Sequence, residues 1–305
     1  MAGEVMKLPR ALLAPRYWLS WLGVGLLWPL AFLPVWLRHG LGRQLGRLMQ
    51  QVNPKRCHIV RTNLALCFPE LDAALREAWL CAHFQSYGCA LLDYSVLFFR
   101  SRQWLYRRLE IEGREHIEQA LVQGRNVMLL LGHSVWLEFA PLAIGQHYRA
   151  YGSYKPFKNA VLDWLISRSR LKDVAFVVAR EAGMIRLVRA LQPGQLLFFL
   201  PDQDHGVQHS VFAPFFAASK ATLNTPARMA KLGQALALPV MVFQEAGRYR
   251  VVIGPALTAF GQQDPAIDAR TLNTGFEALI QRQPPQYMWT LKLFRTRPEG
   301  QARVY

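Results

Sequence analysis

The chain has 305 residues, of which 52% are hydrophobic, 12% aromatic and 18% charged. That is enough for one large α/β core or two modest ones, and too apolar for a disordered chain. Lys and Arg outnumber Asp and Glu by 36 to 20, a formal charge of +16, so the surface suits an anionic partner: a membrane surface, a phosphorylated lipid, an acidic protein or nucleic acid.

From Tyr17 to Leu37 the chain carries no charge, is rich in Trp (Trp18, Trp21, Trp28, Trp36) and is bounded by Arg16 and Arg38. Such a stretch can just cross a bilayer with its tryptophans in the interfacial belts, while Pro29 and Pro34 would kink it and permit shallow or re-entrant insertion. The expectation is a membrane anchor over residues 1–40, retained because no small-residue cleavage site follows. The heavier positive flank (Arg38, Arg43, Arg47, Lys55, Arg56) follows the stretch, which places the remaining chain in the cytosol. Residues 41–63 form a basic amphipathic segment, with Leu41, Leu45 and Leu48 on one side, suited to anionic headgroups. Cys57, Cys67, Cys81 and Cys89 show no Cys-x-x-Cys and no matching His spacing; reduced, packed thiols are expected, with two disulfides open only in an oxidising compartment.

Pro69 and Asp72 mark a helix start, and Leu75, Trp79, His83, Tyr87 and Leu91 recur along one face, which makes His83 a core residue. No linker or repeat divides the chain. Val127–Leu131 reads as a buried parallel strand that stops at Gly132 and delivers His133, with a helix from about Ser134 carrying Glu138 back towards the imidazole. Short strands and helices then alternate, as α/β layers do. Strands are expected at Val174–Val178, Gln195–Leu200, Val240–Gln244 and Arg250–Ile253, and helices at Ala182–Leu191, Thr225–Ala237 and Asp268–Ile280. The fold class is α/β, a mixed sheet flanked by helices, with residues 41–305 as one domain after the anchor.

Two polar clusters leave strand ends: Gly132-His133-Ser134 and Pro201-Asp202-Gln203-Asp204-His205-Gly206. Open α/β sheets place their ligand crevice there. A carboxylate on one ring nitrogen of His133 would fix its tautomer and leave the other nitrogen to take a proton from a hydroxyl. His-x-x-x-x-Glu is also the spacing of ordinary capping and surface pairs, so it does not decide alone. There is no Gly-x-Ser-x-Gly elbow to offer a serine nucleophile, although Ser134 stands beside the base. A single Asp-x-Asp is poor grounds for a metal ion, and none is expected.

The motifs taken together resemble the late acyltransferases of lipid A assembly, nearly end to end. They are Pro15-Arg16-Tyr17-Trp18-Leu19, Arg61-Thr62-Asn63-Leu64 with Cys67-Phe68-Pro69-Glu70, Gly132-His133 to Glu138, Tyr154-Lys155-Pro156, Asp163-Trp164-Leu165 and Arg170. The Pro201 to Gly206 run follows, with Val211 to Phe216, Gln286-Tyr287-Met288-Trp289 and Arg295-Thr296-Arg297-Pro298-Glu299-Gly300. The sequence departs from the family's usual pattern at Lys155, where Arg is common, at Thr222-Leu223-Asn224-Thr225, where a Thr-rich run is common, and at Leu291-Lys292-Leu293, where His-Arg-Arg falls. Arg and Lys hold phosphate differently, so these changes bear on the acceptor more than on the reaction.

The resemblance implies a glycerolipid-acyltransferase-like fold with an N-terminal anchor at the inner membrane, among phospholipids, and no nucleic-acid partner. It implies transfer of a fatty acyl chain from acyl carrier protein to a hydroxyacyl arm of a lipid A precursor, with no cofactor. His133 would be the general base and Glu138 its orienting carboxylate. Arg170, Asp202, Lys155 and Asp204 would be substrate-binding residues; Asp202 could hold a basic side chain, polarise the sugar, or simply cap a turn. Lys155, Lys158, Arg168, Lys172, Arg180 and Arg189 would form a basic rim. Phe198, Phe199, Phe212, Phe215 and Phe216 would line an acyl groove or pack in the core. The alternative is an acyltransferase of a glycerolipid or other glycolipid using acyl-CoA.

Overall fold

The computed structural model describes residues 7–154, 156–174, 176–179, 187–188, 191 and 194–305. The expected Ala182–Leu191 helix lies mostly outside the described residues, as do Lys155, Arg180 and Arg189.

The uncharged N-terminal stretch is not one helix. α1 (Trp18–Leu30) has 13 residues, about 20 Å at 1.5 Å per residue, short of the roughly 30 Å of a bilayer's hydrocarbon core. No described helix is long and apolar enough to cross a membrane. The cause is local: Ala31 to Leu33 turn, and Pro34, which lacks an N–H and restricts the residue before it, becomes the N-cap of α2 (Val35–Val52). The boundary expected near residue 40 therefore falls inside α2. Arg38, counted from sequence among the charges flanking a membrane, is fully buried: its Nε donates to Asp93 at 2.5 Å, and Tyr249 Oη donates to the other oxygen of that carboxylate at 2.7 Å.

α3 (Pro54–Cys67) follows, then the long α4 (Ala73–Phe99), whose N-cap Asp72 accepts from Leu75 N at 2.6 Å. α2 lies against α4 at very short range because both present glycine. A Cβ on Gly46 would sit 2.2 Å from Phe84 O, and one on Gly88 2.2 Å from Gly42 O. This small-residue spacing lets the two backbones meet. All four cysteines carry free thiols, and His83 is in the core as its spacing predicts.

A short helix α5 (Arg102–Tyr106) leads into β1 (Leu109–Glu112), α6 (Arg114–Val122), β2 (Asn126–Leu131), α7 (Phe139–Gly145), β3 (Arg149–Tyr154), α8 (Ala160–Arg170), β4 (Phe176–Ala179) and β5 (Gln195–Phe199). The hairpin β6 (Ser210–Phe215) and β7 (Ala218–Leu223), α9 (Thr225–Leu232), β8 (Ala235–Glu245), β9 (Arg248–Ile253) and α10 (Pro265–Ile280) complete the body. The seven-stranded sheet runs β1-β9-β8-β2-β5-β3-β4, with the β8/β9 pair antiparallel and the other pairs parallel. This is the expected mixed α/β sheet.

β2 is central, and its side chains alternate between two cores. Met128 and Leu130 join one with α3, α9 and α10; Val127, Leu129 and Leu131 join the other with α6 and α7. A strand covered on both faces needs apolar residues throughout, which is why Val127–Leu131 shows no polar alternation. A third, smaller cluster packs Leu12 and Val24 of the N-terminal region on Val161, Trp164 and Leu165 of α8.

Candidate active site

Register brings the two polar clusters together. β2 and β5 are parallel neighbours with Leu130 opposite Phe199, so His133 and Asp202 each lie three residues beyond a paired position. Gly132 permits the exit from β2, because a Cβ there would meet Met241 Sδ at 2.3 Å. The Asp202 carboxylate then receives His133 twice: the backbone N–H donates to Oδ2 at 2.7 Å, and ring Nδ1 donates to Oδ1. Tyr287 Oη donates to Oδ2 at 3.1 Å.

The sequence expectation that Glu138 orients His133 is corrected here. The partner of His133 Nδ1 is Asp202, and Glu138 is bound by Arg170, whose Nε and Nη2 donate to its two oxygens at 2.9 and 2.5 Å. The helix expected from Ser134 starts only at Phe139, with Glu138 at its N-cap. Residues 133–137 are instead stitched to the segment at 286–288. Met288 N donates to His133 O at 2.8 Å, Val135 N to Gln286 O at 3.0 Å, and Ser134 bridges to Tyr287. This turn swings Glu138 towards the end of α8, where Arg170 stands.

Electrostatics are consistent with that arrangement. Burial would raise the Asp202 carboxyl, but the adjoining His133, its ring and backbone donors and the fully buried Lys220 hold it below the ordinary aspartate value. Burial pushes the Lys220 ammonium down against the pull of Asp202 and Asp204, and its Nζ lies 5.2 Å from the centre of the Phe215 ring. Burial also disfavours the charge on Arg170, and the Glu138 carboxylate outweighs it, raising the guanidinium above its usual value.

An ionised carboxylate only accepts, so Nδ1 of His133 carries a proton and Nε2 is the ring nitrogen left for another partner. The Gln203 amide nitrogen lies 3.1 Å from that Nε2. The His133 side chain is 12% exposed and opens into a cavity of about 730 Å³. The walls are mostly apolar, with Leu27 of α1, Leu45 of α2, Ala90 and Phe98 of α4, Ile166 of α8 and Phe198 of β5 among them; Glu138 and Arg170 lie in the same wall. A buried carboxylate and a half-buried His and guanidinium, converging on an apolar cavity at strand ends, are the features of a site that positions a long apolar substrate for proton transfer.

The other expected residues divide. Phe198 and Phe199 line this cavity, whereas Phe215 and Phe216 pack with Phe68, Tyr287 and Trp289 outside it. Asp204, expected at the substrate, is taken up internally: Thr296 N and Oγ1 donate to it at 2.6 and 2.7 Å and Gly206 N at 2.9 Å. It fastens the Pro201 to Gly206 loop to the C-terminal segment. The Arg168 guanidinium lies over the Trp164 ring at 5.1 Å. Gln203 and Tyr287 stand within the motifs, and local sequence pattern assigns neither of them a role. The equal offset of His133 and Asp202 past two strands was the available signal for their pairing.

The class of protein, an acyltransferase, follows from the family that the chain matches. The profile described as "Bacterial lipid A biosynthesis acyltransferase" matches residues 5–296, and the chain belongs to that family. It is 33% identical over 302 residues to the "Lipid A biosynthesis lauroyltransferase" of Escherichia coli (strain K12), with 98% of each chain covered. It is 33% identical over 306 residues to the palmitoleoyltransferase of the same organism, again with 98% of each covered. To that organism's myristoyltransferase it is 30% identical over 294 residues, covering 95% of this chain and 91% of the relative.

Proposed function

We propose that this protein transfers a fatty acyl chain from the thioester of acyl carrier protein to the hydroxyl of a hydroxyacyl arm on a lipid A precursor, a late step of lipid A synthesis. The observation that carries the reading is the His133 ring, held by Asp202 at Nδ1 and presenting Nε2 at the polar end of an apolar cavity. The acceptor hydroxyl takes the position at Nε2 that Gln203 now occupies. Its proton moves to Nε2 as the oxygen attacks the thioester carbonyl, and the tetrahedral oxyanion forms near Arg170. When the C–S bond breaks, the thiolate recovers the proton from the imidazolium, so His133 is regenerated and no acyl-enzyme forms. Glu138 holds Arg170 through Nε and Nη2, leaving Nη1 to the substrate.

The same reading places the protein at the cytoplasmic side of the inner membrane. Trp18, Leu19, Leu22, Leu26 and Trp28 of α1 are exposed, Leu19 by 81%, while Leu27 of the same helix faces the cavity. An apolar face of this kind beds into the interface between headgroups and acyl chains, and phospholipids are its partners. The thioester arrives on an acidic carrier, which a +16 surface attracts. Lys155 is kept as a candidate contact for acceptor phosphate. The test is incubation of membranes containing the protein with an underacylated lipid A precursor and a panel of acyl carrier protein thioesters, followed by mass spectrometry. A gain of one acyl group supports the reading and names the chain; a gain only with glycerolipid acceptors and acyl-CoA replaces it.

A further inference from the structure

We infer that Tyr287 is a positioning residue of the site, fixing the charge and orientation of Asp202 and through it the basicity of His133. The inference rests on the reading of His133 as the base. Tyr287 is wholly buried, and its hydroxyl donates at 3.1 Å to the same Asp202 oxygen that accepts the His133 backbone N–H. It stands 85 residues from Asp202 in sequence, and the chain fastens it there from both sides: Gln286 O accepts from Val135 N, and Met288 N donates to His133 O. Trp289 packs edge-on to its ring at 4.9 Å, and Trp289 Nε1 is itself fixed to Pro284 O at 2.7 Å. A hydroxyl held this firmly against a buried carboxylate does not wander between partners.

Its chemistry follows from what surrounds it. Asp202 faces His133 from the β2 exit, Tyr287 from the C-terminal segment and Lys220 from β7; Tyr287 in turn faces Cys67 of α3 and Tyr305. The cavity wall adds the Glu138–Arg170 pair. Burial and the nearby carboxylate raise the phenol far above its ordinary value, so it remains a donor throughout the working range. Each donor draws charge from the carboxylate and weakens its hold on the imidazolium. Deleting the Tyr287 hydroxyl therefore makes His133 more basic while loosening its alignment.

The experiment is a cycle of wild type, Tyr287→Phe, Asp202→Asn and the double variant, each followed by nitrogen-15 histidine NMR titration and by acyl transfer kinetics, with the His133 signal assigned from His133→Ala. Tyr287→Phe should move the His133 titration to higher pH and lower kcat roughly ten- to hundredfold, the usual scale for a lost hydrogen bond to a charged group. KM should change little. In the Asp202→Asn background the same substitution should do almost nothing further, because Tyr287 acts through that carboxylate. An unshifted His133 titration in folded Tyr287→Phe, or additive effects in the double variant, overturns the inference. The titration reads His133 whether or not the expected lipid is acylated. A wild type inactive on lipid A precursors would therefore refute the proposed reaction alone. If Tyr287→Phe does not fold, 3-fluorotyrosine introduced at position 287 keeps the ring and makes its hydroxyl a stronger donor; it should move the His133 titration to lower pH, and an unshifted titration overturns the inference.

Discussion

Glu138 and His133, five residues apart in the motif, serve different partners: His133 Nδ1 is held by Asp202, and Glu138 by Arg170. The motif therefore contributes one member to each of two pairs, and both of its residues line the cavity. Asp202→Asn should lower kcat by about 10²- to 10⁴-fold, as loss of general-base assistance does, because the amide oxygen stays with the two donors at Oδ2 and the amide NH2 is left facing Nδ1, which selects the other tautomer. Steady-state transfer assays on the folded variant check this, and kcat within a few-fold of wild type would remove Asp202 from its assigned place.

The Glu138–Arg170 pair makes a separable prediction about stability. Its side chains are 6% and 17% exposed, and breaking a buried pair on one side costs about 3–5 kcal/mol because a charge is left without its counterion. Glu138→Gln and Arg170→Met should each lower the unfolding midpoint, and the double variant should recover part of the loss. Arg170→Lys should not substitute, since an ammonium cannot serve both oxygens as Nε and Nη2 do. Denaturant unfolding of the four proteins distinguishes this from two independent surface charges, whose effects would be small and additive.

Much of this was legible in the sequence. The Val127–Leu131 and Gln195–Leu200 strands, the Asp72 cap, the burial of His83 and the long helix ending at Ile280 all follow from local pattern. What local pattern misled was the N-terminus and the motif. An uncharged run long enough to span a bilayer is divided by Pro34, and a helix expected at Ser134 is displaced by hydrogen bonds from residues 286–288. Those bonds come from about 150 residues away in sequence, where no periodicity within a window can register them. Burial of Arg38 against Asp93 is hidden for the same reason.

The α2–α4 contact yields a paired test. Gly46→Ala or Gly88→Ala puts a Cβ 2.2 Å from backbone oxygen, and should destabilise by about 1–3 kcal/mol or more, the cost of overpacking. Gly40, in the same helix, has open space around it, and Gly40→Ala should stabilise by up to about 1 kcal/mol through helix propensity. Thermal unfolding should move in opposite directions for the two sites; equal shifts would contradict the close approach.

Stability should also depend on pH through His83. Its Nδ1 donates to Pro285 O at 3.0 Å, and burial pushes its pKa from 6.5 down to about 4. The folded value lies below the unfolded one, so the unfolded chain binds the proton first and stability is lost as pH falls from 6.5 towards 4. The loss is limited to about 3 kcal/mol. Denaturation midpoints for His83→Gln should show a flatter slope over that window, at some cost at neutral pH; an unchanged slope would assign the effect elsewhere.

The acyl chain should be measured by the cavity. Ala90 lines it from α4 and is nearly inaccessible. Ala90→Leu should shift donor preference towards shorter chains, since each excluded methylene loses about 0.8 kcal/mol of burial. Competition between thioesters of different length reads this directly, and an unaltered preference would move the acyl chain out of this cavity.

In the proposed reaction, Nε2 of His133 removes the acceptor's proton. The test compares wild type with folded His133→Ala on one lipid A precursor and a panel of acyl carrier protein thioesters, with product mass followed over time. The expected result is addition of one acyl group by the wild type and a rate lower by about 10²- to 10⁴-fold without the imidazole. Equal rates from the two proteins would contradict it.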